Sequence, residues 1–247
     1  MSEKDGNSND VNLGSCRIKV CKDGPYLVFG RVPLSEKIIL VNADGVVDKW
    51  GEGKKYELTQ QCSLCRCGQS NNKPYCDGTH TKVNFNGTEN ASFEPYLKVA
   101  ETFDGPTLRL TDSVDLCASA RFCHRAGGIW NLIPRTDIPN AKRTAIEEAG
   151  DCPSGRLVVW DNKTDEAIEP VLEPSIGLVE DPQMKCSGPI WVRGGIPVES
   201  AAGKIYERRN RVTLCRCGKS SLKPFCDSSH FPEHLYDEMM TSERNQK

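Results

Sequence analysis

Apolar positions along the chain fall in short runs. The breaks between them are Gly, Pro and Asp-Gly pairs, the punctuation of brief strands joined by tight turns. The run "DGPYLVFGRVPL" at 23–34 has a counterpart in "SGPIWVRGGIPV" at 187–198, with Gly24-Pro25 set against Gly188-Pro189 and Val32-Pro33 against Ile196-Pro197. Downstream, "EKIILVNADGVVDKW" and "ESAAGKIYERRNRVTL" place Asp44-Gly45 and Ala202-Gly203 where hairpin turns belong. The pattern predicts two small antiparallel sheets, one towards each end of the chain. A unit of this size buries too little apolar surface to stand alone, so the two copies are expected to pack on each other as a pseudo-twofold pair.

The stretch between them does not repeat. "LKVAETFDGPTLRL" predicts strand, turn and strand about Asp104-Gly105-Pro106. "PNAKRTAIEEAG" predicts a helix with Asn140 as N-cap, Ala141, Ala145, Ile146 and Ala149 along one face, and Gly150 at C′. "RLVVW" reads as a buried strand, and the Pro- and acid-rich stretch up to Pro174 as a linker. The expected fold class is therefore α+β, mostly small antiparallel β. Its expected organisation is a polar tail at 1–14, a first unit at 15–92, an insert with linker at 93–179, a second unit at 180–233 and a polar tail at 234–247.

Composition narrows the function. With 37% hydrophobic and only 7% aromatic residues, each core is thin, the situation in which small domains lean on a metal or a disulfide. A formal net charge of -2 without a basic run argues against nucleic acid as a partner. No apolar run approaches the roughly 18 to 20 residues that span a bilayer, and "MSEKDGNSND" lacks the basic and apolar regions of a signal peptide. The expectation is a soluble, cytoplasmic protein that does not engage a membrane. "GEGKKY" at 51–56 has the glycines of a hairpin loop but not the helix of a P-loop, and Arg208-Arg209-Asn210-Arg211 reads as a solvated strand edge. The 13 cysteines are an odd count in a chain with no mark of secretion, which favours metal ligands over disulfides.

Two loops concentrate those cysteines. "CRCGQSNNKPYCDGTH" runs from Cys65 to His80, and "CRCGKSSLKPFCDSSH" from Cys215 to His230. Each sets a Cys-x-Cys pair across a short loop from a Cys-x3-His pair. Gly68 is expected to let the backbone approach the metal centre, Pro74 to stiffen the return to Cys76, and Asp77 to cap a helix whose first turn carries His80. One pair on each iron of a 2Fe-2S cluster suits this spacing; zinc, which more often takes Cys-x2-4-Cys with His-x3-5-His, is the alternative.

These loops resemble the CDGSH iron-sulfur domain (NEET) family. The first matches the family pattern throughout, including Ser70, Pro74, Asp77, Gly78 and Thr79; the second departs only at Ser228, where the pattern has glycine, which would loosen the start of its helix. The resemblance implies two 2Fe-2S clusters, held by Cys65, Cys67, Cys76 and His80 and by Cys215, Cys217, Cys226 and His230. Single-motif members pair as homodimers, so it also implies a monomer whose two β-cap units form an intramolecular pseudo-dimer. A histidine ligand raises the cluster's potential and offers a site for a proton.

In the middle segment, Cys117, Cys123 and Cys152-Pro153 resemble ferredoxin-like single-cluster domains, which implies an inserted ferredoxin-like α+β domain. A histidine is expected two residues after the first cysteine, but Ser119 stands there. His124, Cys186 or a three-iron cluster would complete the set; the other reading is that these cysteines only fill space. Cys16 and Cys21 are expected to be strand or surface thiols, Cys62 a strand residue despite its zinc-like spacing to Cys65, and His234 to face water. The expected function is a non-enzymatic iron-sulfur protein that carries electrons, or hands on clusters, to redox or cluster-acceptor proteins. A third cluster of 3Fe-4S or 4Fe-4S type is left open. The alternatives are a zinc-stapled interaction module and an electron-relay component of an oxidoreductase.

Overall fold

The computed structural model describes residues 16–231; the expectations for the tails and for His234 fall outside the described residues. The N-terminal arm supplies β1 (Arg17–Val20), β2 (Tyr26–Phe29), β3 (Leu34–Val41), β4 (Val47–Lys55) and β5 (Gln61–Leu64). Two one-turn helices follow, α1 (Thr79–Lys82) and α2 (Tyr96–Val99). The middle segment contains β6 (Glu101–Asp104), β7 (Leu108–Asp112), α3 (Ile129–Leu132), α4 (Pro139–Asp151), β8 (Leu157–Asp161) and β9 (Ala167–Ile168). The C-terminal arm supplies β10 (Ser175–Asp181), β11 (Cys186–Arg193), β12 (Val198–Glu199) and β13 (Arg211–Leu214).

Neither arm completes a sheet by itself. One sheet has the order β12-β1-β2-β5, the other β13-β11-β10-β3-β4. β12 lies parallel to β1, with Ile18 opposite Val198, and β3 lies parallel to β10, with Leu34 opposite Ile176. Every other pairing in these two sheets is antiparallel. The same plan thus occurs twice: a three-stranded meander from one arm, closed by the strand that leads out of the other arm's Val-Pro or Ile-Pro turn. Alternation puts Ile18 and Val20, then Tyr26 and Val28, on the inner face, where they meet Ile176, Leu178, Ile190, Val192 and Val198 in one core. Each fully buried aliphatic side chain there contributes about 1.5–3 kcal/mol, which neither arm could gather alone.

The turns at Gly45 and Gly203 form as expected, both glycines at positive φ. "GEGKKY" is not a hairpin loop: Gly51 and Gly53 lie inside β4, where a Cβ would come within 2.9 Å of Leu40 and 2.7 Å of Glu36. Of the strand and surface alternatives for Cys16, the first is the nearer: it is buried in the shared core immediately before β1.

In the middle segment β6, β7, β8 and β9 form an antiparallel sheet with α3 and α4 packed on it through Ile129, Trp130, Ala141, Ala145 and Ala149. The helix boundaries differ from those expected. α4 begins at Pro139, whose fixed φ suits the first helical position, and Asn140 lies inside the first turn with its Oδ1 accepting from Arg143 at 2.6 Å. It runs through Gly150 to an extended cap at Cys152, because Arg211 supplies the donors that a glycine cap would otherwise replace. The stretch read as a linker is pinned as well: β9 pairs with β8, and Pro170 and Glu169 accept from Asn210 and Arg211.

The middle segment is gripped from both arms. Trp50 of β4 packs between Trp191 of β11 and Phe122, with ring centroids 4.7 and 4.6 Å away, and its indole N–H donates to the Asp151 carbonyl. The Arg208-Arg209-Asn210-Arg211 run is not a solvated edge. Arg211 is 2% exposed and donates to the carbonyls of Ala149 and Cys152 and to Glu169, while Arg209 lies over Tyr96 and donates to the Gly155 carbonyl.

Candidate metal centres

In each arm the last strand of the meander delivers the Cys-x-Cys pair, and a turn brings back the Cys-x3-His pair. The Cys65 and Cys215 N–H groups donate to the carbonyls of Pro74 and Pro224, which closes each loop. The hydroxyls of Ser70 and Ser220 brace the interior by donating to Tyr75 and Phe225.

The donors meet in pairs. Cys65 Sγ lies 3.8 Å from Cys67 Sγ, and Cys76 Sγ 3.3 Å from His80 Nδ1. The second loop repeats this at 3.7 Å for Cys215 and Cys217 and 3.4 Å for Cys226 and His230. Among the described residues no three His, Cys, Asp or Glu side chains converge as a single-ion site. Backbone N–H groups of Gln69, Gly78 and Lys219 approach the sulfurs of Cys67, Cys76 and Cys217 at 3.4–3.5 Å. Such donors stabilise negative charge on sulfur, so the loops fit a thiolate-bound group.

The loops touch back to back. A Cβ on Gly68 would fall 2.5 Å from the Cys217 carbonyl oxygen, and one on Gly218 2.6 Å from that of Cys67; both glycines have positive φ. Gly68 is thus required by the opposite loop, a contact that the sequence did not disclose. Tyr26 reinforces the join, its hydroxyl donating across to the carbonyls of Cys215 and Pro224.

The two loops differ in environment. Asp77 is exposed; N–H groups of Asn71 and Thr79 hold its carboxyl well below the usual range, and α1 starts two residues later. In the second loop the chain turns through Phe231 without a helix among the described residues, and Cys226 is 3% exposed. Burial, then Cys215, Asp227 and Cys117 nearby, pushes the Cys226 thiol well above its ordinary range despite the Ser228 N–H. Burial lowers His230 to about 4, so its imidazole is neutral and has a lone pair for a metal. A hydrogen bond from Cys215 lowers Cys217 to about 7, so the first thiolate of this pair forms there.

Ser228, the departure from glycine, retains the glycine-like backbone at φ 70°. That conformation costs an L-residue roughly 1–2 kcal/mol. Its hydroxyl donates to the Cys117 carbonyl at 2.7 Å and accepts from the Ser119 hydroxyl at 2.7 Å.

Those two residues belong to the middle site. Cys117, Cys123 and Cys152 line one small cavity of about 20 Å³ together with Ser119, Arg121, Pro153 and Arg156. Cys117 follows a 3-10 turn, Cys123 sits inside another, and Cys152 ends α4. The Ser119 N–H lies 3.4 Å from Cys117 Sγ. Arg156 brings a buried cation to the wall, paired with Asp112 at 2.6 Å. Three cysteines about one cavity supply three candidate ligands for a thiolate-bound group. His124 and Cys186 are not among the lining residues: the His124 ring lies tilted against Trp130, and Cys186 lies at the start of β11, its thiol raised to about 11 by burial and Asp181. Cys62 pairs with Val28 inside β5, as a strand residue.

The family described as "Iron-binding zinc finger CDGSH type" matches at residues 23–81 and again at 187–231. The family described as "Divergent 4Fe-4S mono-cluster" matches at 103–162. Neither a curated protein nor a solved structure matches the chain. Repeated donor pairs, a cysteine-lined middle cavity and these matches agree: two regions similar to the CDGSH iron-binding domain flank one similar to a divergent 4Fe-4S domain.

Proposed function

We propose that the protein is an electron carrier with two 2Fe-2S clusters, one on each Cys/His loop, and a third cluster on Cys117, Cys123 and Cys152. The observation that carries this reading is that the donors meet as a Cys-Cys and a Cys-His pair in both loops, with no three of them converging on a single-ion site among the described residues. Two pairs match two irons bridged by sulfide, whereas a zinc staple needs four donors about one ion. Clusters of this kind supply one-electron chemistry; the chain holds them, shields them and sets their charge. Neutral His230 and the N–H groups directed at the thiolates reduce the negative charge about each site, which favours the reduced form. The sheet plan repeated across the arms supports an intramolecular pseudo-dimer acting as a monomer, with a ferredoxin-like insert. The protein is not itself an enzyme on this reading, and it serves redox or cluster-acceptor proteins in the cytoplasm.

An anaerobic absorption spectrum with iron, zinc and acid-labile sulfide counted on one sample tests the proposal. About four irons and four sulfides per chain are expected from the loops, with an excess from the middle site. Stoichiometric zinc without sulfide would replace the proposal with the structural-staple reading. Within it, His80→Cys should lower the potential of the first site and flatten its dependence on pH; an unchanged slope would remove the histidine from proton coupling.

A further inference from the structure

We infer that the second loop is the junction of a linear relay, with Ser228 as the residue that joins it to the middle site. The inference rests on the three-cluster reading above. The residues at which the sequence departs from its two motifs are Ser228, in place of glycine, and Ser119, in place of histidine, and they are hydrogen-bonded to each other. Both have left-handed backbone, φ 70° and 52°, and both are buried. Two strained serines face to face are not the residues that local conformation would select; their hydroxyls account for them. The chain of bonds runs from Ser119 to Ser228 and on to the carbonyl of Cys117, a cysteine of the middle site, while Ser228 lies between Cys226 and His230 of the second loop.

Among the described residues the first loop has no such connection. At Gly78, the position equivalent to Ser228, no described atom lies within 4 Å of where a Cβ would stand. Its contact with the rest of the metal-binding apparatus is the reciprocal approach of Gly68 and Gly218 to the Cys217 and Cys67 carbonyls. The sites therefore follow in the order first loop, second loop, middle cavity. An electron from a one-electron donor of the flavin class enters at the first loop, where Cys76 and His80 are half-buried beside the exposed Asp77. It passes to the second and then to the middle site, each losing one electron as the next gains one, with no bond broken.

The test follows reduction of the holoprotein by a photoreduced deazaflavin, with freeze-quenched EPR resolving each site, alongside pulsed dipolar EPR between reduced sites. The distance from the middle site should be shorter to the second loop than to the first. Ser228→Gly, which keeps every ligand and relieves the backbone, and Ser228→Ala should slow reduction of the middle site three- to tenfold. The rate at which the loops equilibrate should not change, and Cys76→Ser should spare direct exchange between the second loop and the middle site. Equal distances, or a middle site reduced at the wild-type rate in both Ser228 variants with metal content intact, overturns the relay. Wild-type iron near four per chain overturns the three-cluster reading itself and the relay with it, whereas iron well above four with unchanged rates removes the relay alone.

Discussion

The two Cys/His loops share their donors, spacing and bracing serines, yet one is open and the other is roofed. Cys76 is half-buried beside an exposed Asp77, while Cys226 is 3% exposed near Cys117, and Ser228 two residues on is bonded to Cys117 and Ser119. Residues 90 and 91 also fasten the second loop, both N–H groups donating to the Lys223 carbonyl. Ligand geometry and ligand environment are thus separable in this molecule. The repeated motif sets the first, and an inserted domain changes the second in one copy only. The half-buried donors are Cys76 and His80 in the first loop but Cys217 and His230 in the second, so the two loops turn different edges towards solvent.

The most severe way to probe this contrast is to remove one ligand from each loop. Cys76→Ser should cost the protein about two irons, whereas Cys226→Ser should cost more than two, because the middle site rests on the same loop. Iron and sulfide analysis decides, and equal losses would mean that the roof contributes nothing. Next in size is Arg211→Met, which removes the clamp between β13 and the end of α4. It removes the side-chain donors to the Ala149 and Cys152 carbonyls, which keep the N–H groups of Cys152 and Gly155, and leaves Glu169 without its buried partner. A loss of about 3–5 kcal/mol is expected in urea denaturation.

A third test acts through pH. Burial raises Glu148 on α4 to about 7 despite the N–H that Ala126 donates and the Arg125 charge nearby. A carboxyl raised in the folded state binds its proton more tightly there than in the unfolded chain. Its contribution is therefore complete below about pH 4.5 and is lost as pH rises through 7. Glu148→Gln should flatten this fall, by on the order of 3 kcal/mol at most, in denaturation curves at pH 5 and pH 8. If the variant follows the wild type, Glu148 is not the group responsible. The smallest effect is expected from Gly78→Ser, which gives the open loop the serine of the roofed one. With φ at 84° and space around it, the change should cost only the backbone strain, roughly 1–2 kcal/mol in urea denaturation, and leave the iron content unchanged.

Much of the site was legible in the sequence, since metal chemistry demands particular side chains at fixed intervals and a repeat exposes them twice. The eight loop donors, the three middle cysteines and the strands at β6, β7 and β8 all follow from such local patterns. What escaped were contacts between distant segments. The arginine run looked solvated because nothing local marks Arg211 as the cap of a helix some sixty positions earlier. Gly68 looked like a concession to the metal, although its neighbour is the Cys217 carbonyl. Ser228 stood out as a departure from its motif, but its reason became visible only once Ser119 was beside it.

The crossing of strands between the arms also has a consequence in time. Tyr26 and the Cys215 carbonyl it binds are 189 residues apart, and β1 and β3 find their parallel neighbours only in β12 and β10. As the chain leaves the ribosome, its first arm therefore waits with an unpaired edge until the second arm has been made. Insertion of iron and sulfide into the first loop would be premature before that moment, so maturation of both outer sites is tied to synthesis of the second arm.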